Sequence, residues 1–204
     1  MGQNAEQHGV DRLARSIAAI DAANAADPNQ LVVGTAAQPK ELVHAQLMTE
    51  WVRALDPDAD EAQLVAARAH HLRRWEVPRS SYPDGRSGYL RWRTGLRRRH
   101  ASLVAEILVE VGYDEAFVER VTRIVRKEGL GRDPTVQTHE DALCLVFLQT
   151  QLDELIDRLG PDATVEVVVK SLAKMSDGAI ARASELAFSE RGRAVVGRAM
   201  SSRS

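Results

Sequence analysis

The chain has one cysteine in 204 residues, Cys144. An intramolecular disulfide and a cysteine-based zinc site are therefore excluded, and a reducing, cytoplasmic setting is the expectation. No run approaches the ~20 apolar residues that a membrane-spanning helix needs, so no membrane partner is expected. The start, MGQNAEQHGV, lacks the apolar stretch of a signal peptide. Aromatic residues are scarce at 4%, and lysine is nearly absent, with 4 lysines against 23 arginines. Alternating strand patterns are missing too: Val165–Val169 is the one stretch a strand could claim, so no doubly wound sheet is expected.

What is present is helical periodicity. Apolar residues recur every three or four positions between breakers such as Asp56-Pro57-Asp58, Gly129-Leu130-Gly131 and Gly160-Pro161. This predicts an all-α fold of about seven to nine helices. Residues 1–9 are expected as a disordered start, 10–190 as a single helical domain and 191–204 as a basic, flexible tail. Helices are predicted over about 10–24, 39–55, 60–75, 87–111, 114–128 and 135–159, then two shorter ones. The proline-rich stretch 76–86 reads as a loop.

Charge is distributed unevenly. The net charge is −2, yet Arg68–Arg99 holds ten arginines against Glu76 and Asp84. Four of the nine aromatics, Trp75, Tyr82, Tyr89 and Trp92, fall in the same window. Guanidinium groups bind phosphate or carboxylate in bidentate fashion, and aromatic faces stack a ring or steady a guanidinium. Arg74, Trp75, Arg79, Tyr82, Arg86, Tyr89 and Trp92 are thus the candidate binding residues for a small anionic ligand. Single-stranded nucleic acid would suit the same mixture, but an isoelectric point near 6.3 argues against a dedicated nucleic-acid binder. A homodimer is compatible with the sequence, which does not define the oligomeric state.

Three histidines and one aspartate continue apolar stripes. His44 precedes Leu47, Met48, Trp51 and Leu55; His71 follows Leu64 and Ala67; His100 follows Tyr89, Trp92 and Leu96; Asp141 precedes Leu145, Leu148 and Leu152. Helical spacing turns all four toward the core. Imidazoles converging with a carboxylate suit a divalent transition metal such as Mn, Fe, Ni, Co or Zn. His44, His71, His100 and Asp141 are the candidate ligands, and Glu140 is the candidate catalytic residue, orienting or deprotonating a water. Core histidines satisfied by hydrogen bonds, and first-turn acids that offset the helix dipole, are the plain alternative. His139 is expected to be solvated, and His8 has no expected role.

The motifs Asp21-Ala-Ala-Asn24-Ala-Ala-Asp27-Pro28, Pro39-Lys40-Glu41-Leu42, His71-Leu-Arg-Arg74-Trp75-Glu76-Val-Pro78-Arg79, Tyr82-Pro83 and Gly88-Tyr89-Leu90-Arg91-Trp92-Arg93 resemble the domain of unknown function 4202 family. So do His100-Ala101, Gln137-Thr138-His139-Glu140-Asp141-Ala142, Leu145-Val146-Phe147-Leu148 and Lys174-Met175-Ser176. This resemblance spans about residues 17–188 and implies no reaction. A looser one, to the His-Asp phosphohydrolase superfamily, rests on the order His44, His70-His71, Asp141, with His71 where that superfamily has aspartate. It implies an all-α, metal-dependent hydrolase of phosphorylated or otherwise anionic substrates; related scaffolds also perform diiron oxygen chemistry. The competing expectation is a non-catalytic, metal-free module that binds an anionic metabolite. Lys174-Met175-Ser176 is also similar to the signature loop of class I aminoacyl-tRNA synthetases, but their His-x-Gly-His partner motif is missing.

Overall fold

In the computed structural model, which describes residues 2–202 and the side chains from residue 11 onward, ten α-helices follow one another: α1 (Gly2–Asn24), α2 (Lys40–Leu55), α3 (Glu61–Arg68), α4 (Gly85–Val111), α5 (Glu115–Arg126), α6 (Pro134–Thr150), α7 (Leu152–Leu159), α8 (Pro161–Leu172), α9 (Asp177–Ser184) and α10 (Glu190–Ser201). Most starts are written in their caps. Asp60 and Gln63 form a reciprocal capping box on α3, and the side chains of Asp114, Asp133, Ser176 and Ser189 cap α5, α6, α9 and α10. No helix among the described residues is long and apolar enough to cross a membrane.

The apolar stripes bury against each other in two layers. Ile20, Val65, Val104, Leu108 and Val125 join α1, α3, α4 and α5; Leu145, Leu148, Leu152, Val168, Leu172 and Val196 join α6 to α10. Met48, Val52, Ala67 and Val146, from α2, α3 and α6, bridge the two. The central polar groups lie at this seam.

Several boundaries differ from the sequence expectation. The stretch Gln30–Val33 pairs antiparallel with Ala36–Pro39 as a two-stranded hairpin, β1 and β2, where no strand is expected. Val165–Val169 is helical instead, within α8: Gly160-Pro161 starts a helix whose Thr164, Val168 and Leu172 are buried at helical spacing. The helix expected over 60–75 stops at Arg68. Ala69–Arg73 turns, with Arg73 left-handed at φ 52, and two short 3-10 turns follow. The helix expected over 135–159 breaks at Gln151. At Gly88 any side chain would collide with the Pro83 carbonyl oxygen, so this glycine lets the loop fold back on α4.

Helix also extends toward both ends: residues 2–9, expected within a disordered start, lie in α1, and residues 191–201, expected within a flexible tail, belong to α10. The reason is periodicity hidden among arginines: Val195, Val196 and Ala199 fall on one face, which packs on α7 and α8 behind the Ser189 cap. A chain ending at Phe188 is expected to be destabilised by several kcal/mol, because each buried valine contributes about 1.5–3 kcal/mol. Urea unfolding of the truncated chain checks this; an unchanged midpoint would restore the dispensable tail.

Candidate functional site

The end of α1 organises the centre. Asp21 accepts two hydrogen bonds, both of 2.6 Å, from the Arg68 guanidinium and so holds the end of α3. Asn24 Oδ1 accepts from the backbone N–H of Arg73, bracing the left-handed turn that follows. Buried Asp27 accepts from the backbone N–H of Glu41 and sets the first turn of α2. Three short polar side chains thus bring His70 and His71, on the turn, to Glu41 and His44, on α2.

Five of the six histidines form one contiguous buried or half-buried group. Ring centres are 6.3 Å apart for His44–His71, 4.1 Å for His70–His71, 5.9 Å for His71–His100 and 4.9 Å for His70–His139. Glu41 Oε2 lies 3.2 Å from His44 Nδ1 and 3.1 Å from His71 Nδ1. One ligand atom from each of Glu41, His44 and His71 lies within 4.8 Å of the others. Burial alone would raise the Glu41 carboxyl, but His71 and His44 outweigh it and hold the group well below the usual carboxylate range.

His100 has a defined tautomer. Its Nδ1 is 2.8 Å from the Leu72 carbonyl oxygen, which can only accept, so Nδ1 carries the proton and neutral His100 presents a bare Nε2. That Nε2 is buried without a partner, and the ring lines the main cavity. Burial lowers its pKa to about 4, against the opposing hydrogen bond to Leu72, so the ring is neutral at physiological pH. Burial likewise lowers His71 to about 3 despite Glu41.

That cavity, of about 590 Å³, opens at the seam. His71 and His100 form one side, α4 contributes Tyr89, Trp92, Arg93 and Arg97, and α8 contributes Lys170. Arg74, Lys127, Glu140 and Lys174 complete its charged lining. Arg74 stacks on Trp92 at 4.7 Å from the ring centre. A second cavity of about 740 Å³ shares His71, Arg74 and Trp92 with the first and holds Trp75, Arg79, Glu41 and His44.

Of the candidate metal ligands, the structure brings His44 and His71 together and sets His100 beside His71, outside the tight group. Asp141 is turned away. Its Oδ1 accepts from Gln137 Nε2 and the Ser176 N–H, both 2.9 Å, and its Oδ2 accepts from Ser176 Oγ at 2.6 Å. Asp141, well inside α6, therefore ties that helix to the start of α9. Glu140 is buried between Lys127 and Lys174. Burial would raise its carboxyl, but Lys127 outweighs that and keeps it ionised. Its lone pairs serve this ion cluster, which leaves it poorly suited to the expected role toward water.

Among the binding candidates, Arg74, Tyr89 and Trp92 line the main cavity and Trp75 the second. Arg79 spends its guanidinium on the carbonyls of Tyr82 and Pro83, closing its own loop. Tyr82 packs under Gly95, and exposed Arg86 lines neither cavity.

Sequence reasoning missed Glu41, Lys127 and His139. Glu41 sits three residues before His44, so helical spacing alone puts the two on one face. His139, expected as solvated, is fully buried, with its Nε2 2.9 Å from His70 Nδ1. Lys127 had no periodic signal: it follows the last turn of α5 in the left-handed conformation at φ 62, ψ 37, and its side chain runs inward to Glu140. Burial lowers its pKa to about 8 against the pull of Glu140.

The buried imidazoles set an acid limit. The ordinary histidine pKa is 6.5, and His139 and His100 are lowered to about 3 and about 4 in the fold. Between those values and 6.5 the unfolded chain binds more protons, so stability is complete above 6.5 and falls as pH drops below it. Each group adds a slope of about 1.4 kcal/mol per pH unit. Urea unfolding from pH 7 to pH 4 should show this decline, and His139→Gln should be shallower by about one such increment. A stability independent of pH in that window would contradict the burial of these rings as neutral groups.

No curated protein and no solved structure matches the chain. The family model described as a domain of unknown function, DUF4202, matches residues 14–196, a span that takes in α1 from Ala14 onward, both cavities and most of α10. The chain belongs to this family.

Proposed function

We propose that the protein is a metal-dependent hydrolase of a small phosphorylated compound, with an organisation like that of the His-Asp phosphohydrolases. The observation that carries this reading is the Glu41–His44–His71 group, which reaches the cation-lined cavity through His71. The contacts of 3.1 and 3.2 Å from Glu41 Oε2 to the two Nδ1 atoms match the spacing of neighbouring donors around an ion bound at about 2.1 Å. His44 Nε2 is 3.2 Å from the Thr150 hydroxyl, which itself donates to the Val146 carbonyl at 2.7 Å. With that hydroxyl proton engaged, His44 donates from Nε2 and offers the Nδ1 lone pair toward Glu41, as a ligand whose other nitrogen is held by a neighbouring group.

A divalent transition ion held by these three residues would supply a Lewis acid for a phosphoryl oxygen and would acidify water. The remaining roles belong to the chain. Arg93 and Arg97 hold the anion in place of the expected Arg79 and Arg86. His100 is the base in place of Glu140: its bare Nε2, closed off from solvent until bound substrate shifts the side chains over it, accepts the proton of the attacking water. Leu72 keeps that ring in the right tautomer and orientation.

A second reading, a metal-free module for an anionic metabolite, is favoured by the same group read differently. Glu41 accepts hydrogen bonds from both imidazoles when each carries its proton on Nδ1 and the Thr150 hydroxyl turns its proton from Val146 to His44 Nε2, and the group is then satisfied without an ion.

Elemental analysis of untagged protein separates the two readings. Near-stoichiometric metal is expected, lost in Glu41→Ala, His44→Ala and His71→Ala and retained in His100→Ala and Asp141→Ala. On a phosphatase panel with Mn²⁺, Co²⁺, Ni²⁺ or Zn²⁺, His100→Ala should lower turnover by roughly 10²–10⁴-fold while keeping its metal. A folded, metal-free wild type with a blank panel would sink the hydrolase and leave the binding module.

A further inference from the structure

The charges around the main cavity do not balance. Arg93 and Arg97 sit one helical turn apart on α4, both half-buried, and neither has a carboxylate within 4.0 Å among the described residues. Lys170 and Lys174, also four residues apart, reach the same cavity from α8 and the turn after it. Lys127 stands between, paired with Glu140, which Lys174 also approaches at 3.4 Å. With Arg74, six cations line this one space.

Counting the carboxylates recorded within 4.0 Å of them among the described residues leaves an excess. Glu140 answers Lys127 and Lys174, Glu41 approaches Arg74 at 3.9 Å, and Glu166 meets Lys170 at 3.8 Å in the open. Six cations against three carboxylates leave three positive charges. Two of them are adjacent guanidinium groups that repel each other, with part of their hydration removed.

A single phosphate, with at most two negative charges near neutral pH, does not cancel this excess, and a cavity of about 590 Å³ is far larger than one phosphate needs. We infer that the ligand carries two phosphoryl groups, one on the Arg93–Arg97 pair of α4 and the other on the Lys170–Lys174 pair of α8. This deepens the proposed function and rests on its reading of the cavity as an anion site. Guanidinium forks suit a phosphoryl group held in fixed orientation. The lysines, one exposed and one half-buried, act as point charges for a second group nearer the solvent, which replaces their long contacts of 3.8 Å to Glu166 and 3.4 Å to Glu140.

The division between two helices makes the inference separable by mutation. Isothermal titration of the full-length protein, treated with chelator so that no metal contributes, would compare inorganic phosphate with butane-1,4-diol bisphosphate. Wild type should bind the bisphosphate at least about tenfold more tightly than phosphate. Arg97→Gln and Lys174→Gln should each bring the bisphosphate close to the affinity of phosphate. Arg93→Gln and Lys170→Gln repeat the test if either variant fails to fold by circular dichroism. Equal affinities in wild type, or a bisphosphate preference unaffected by the variants, would overturn the two-group ligand while leaving the anion site standing. Binding of neither probe would overturn the anion site itself.

Discussion

Burying the Glu41 carboxylate is the constraint from which the centre of the molecule follows. An ionised carboxyl taken from water without partners costs several kcal/mol, so α2 can enter the interior at this position only if donors meet it there. His44 comes from the same helix face, but His71 comes from the turn after α3, and that turn exists because Asp21 and Asn24 hold it. Asp27 meanwhile accepts the N–H of Glu41 itself. The polar residues at the end of α1 are therefore the foundation of the site even though none of them touches a cavity.

The same constraint explains the asymmetry between the two carboxylates expected at the centre. Asp141 and Glu140 are neighbours in sequence and lie about 100° apart around α6, so one helix turn aims them at different surroundings. Asp141 meets the capping serine of α9, whereas Glu140 meets two lysines at the seam. Each carboxylate is satisfied locally, and neither joins the imidazoles. Glu41, at the start of another helix, takes the place expected for Asp141.

Much of the fold was legible because it depends on local rules. Caps, breakers and apolar periodicity marked α2, α4, α5 and the start of α6, whereas the valine stripe of α10 went unread beneath its arginines. The arginine–aromatic window also supplies one wall of the main cavity, through Arg74, Tyr89 and Trp92. What was not legible depends on contacts distant in sequence. The turn at Ala69–Arg73 replaces a helix because Asn24, some fifty positions earlier, captures its backbone. His71 faces inward as expected, but from a turn and not from a helical stripe. Arg79 looked like a ligand clamp and instead closes its own loop, since nothing in its identity distinguishes a phosphate oxygen from a carbonyl. The hairpin β1–β2 is too short for an alternation to register.

Lys127 adds a consequence of a different kind. The position just past a helix is normally among the most permissive in a protein, and one in the left-handed region ordinarily favours glycine by about 1 kcal/mol. Here the backbone would welcome glycine, while the side chain neutralises a buried glutamate in the next helix. The two demands oppose each other at one residue. Substitutions that ease the backbone strand a charge, and those that keep the charge retain the strain. The terminus of α5 is therefore a point where the chain has little freedom to drift, and where stabilising the local geometry and preserving the cavity are incompatible aims.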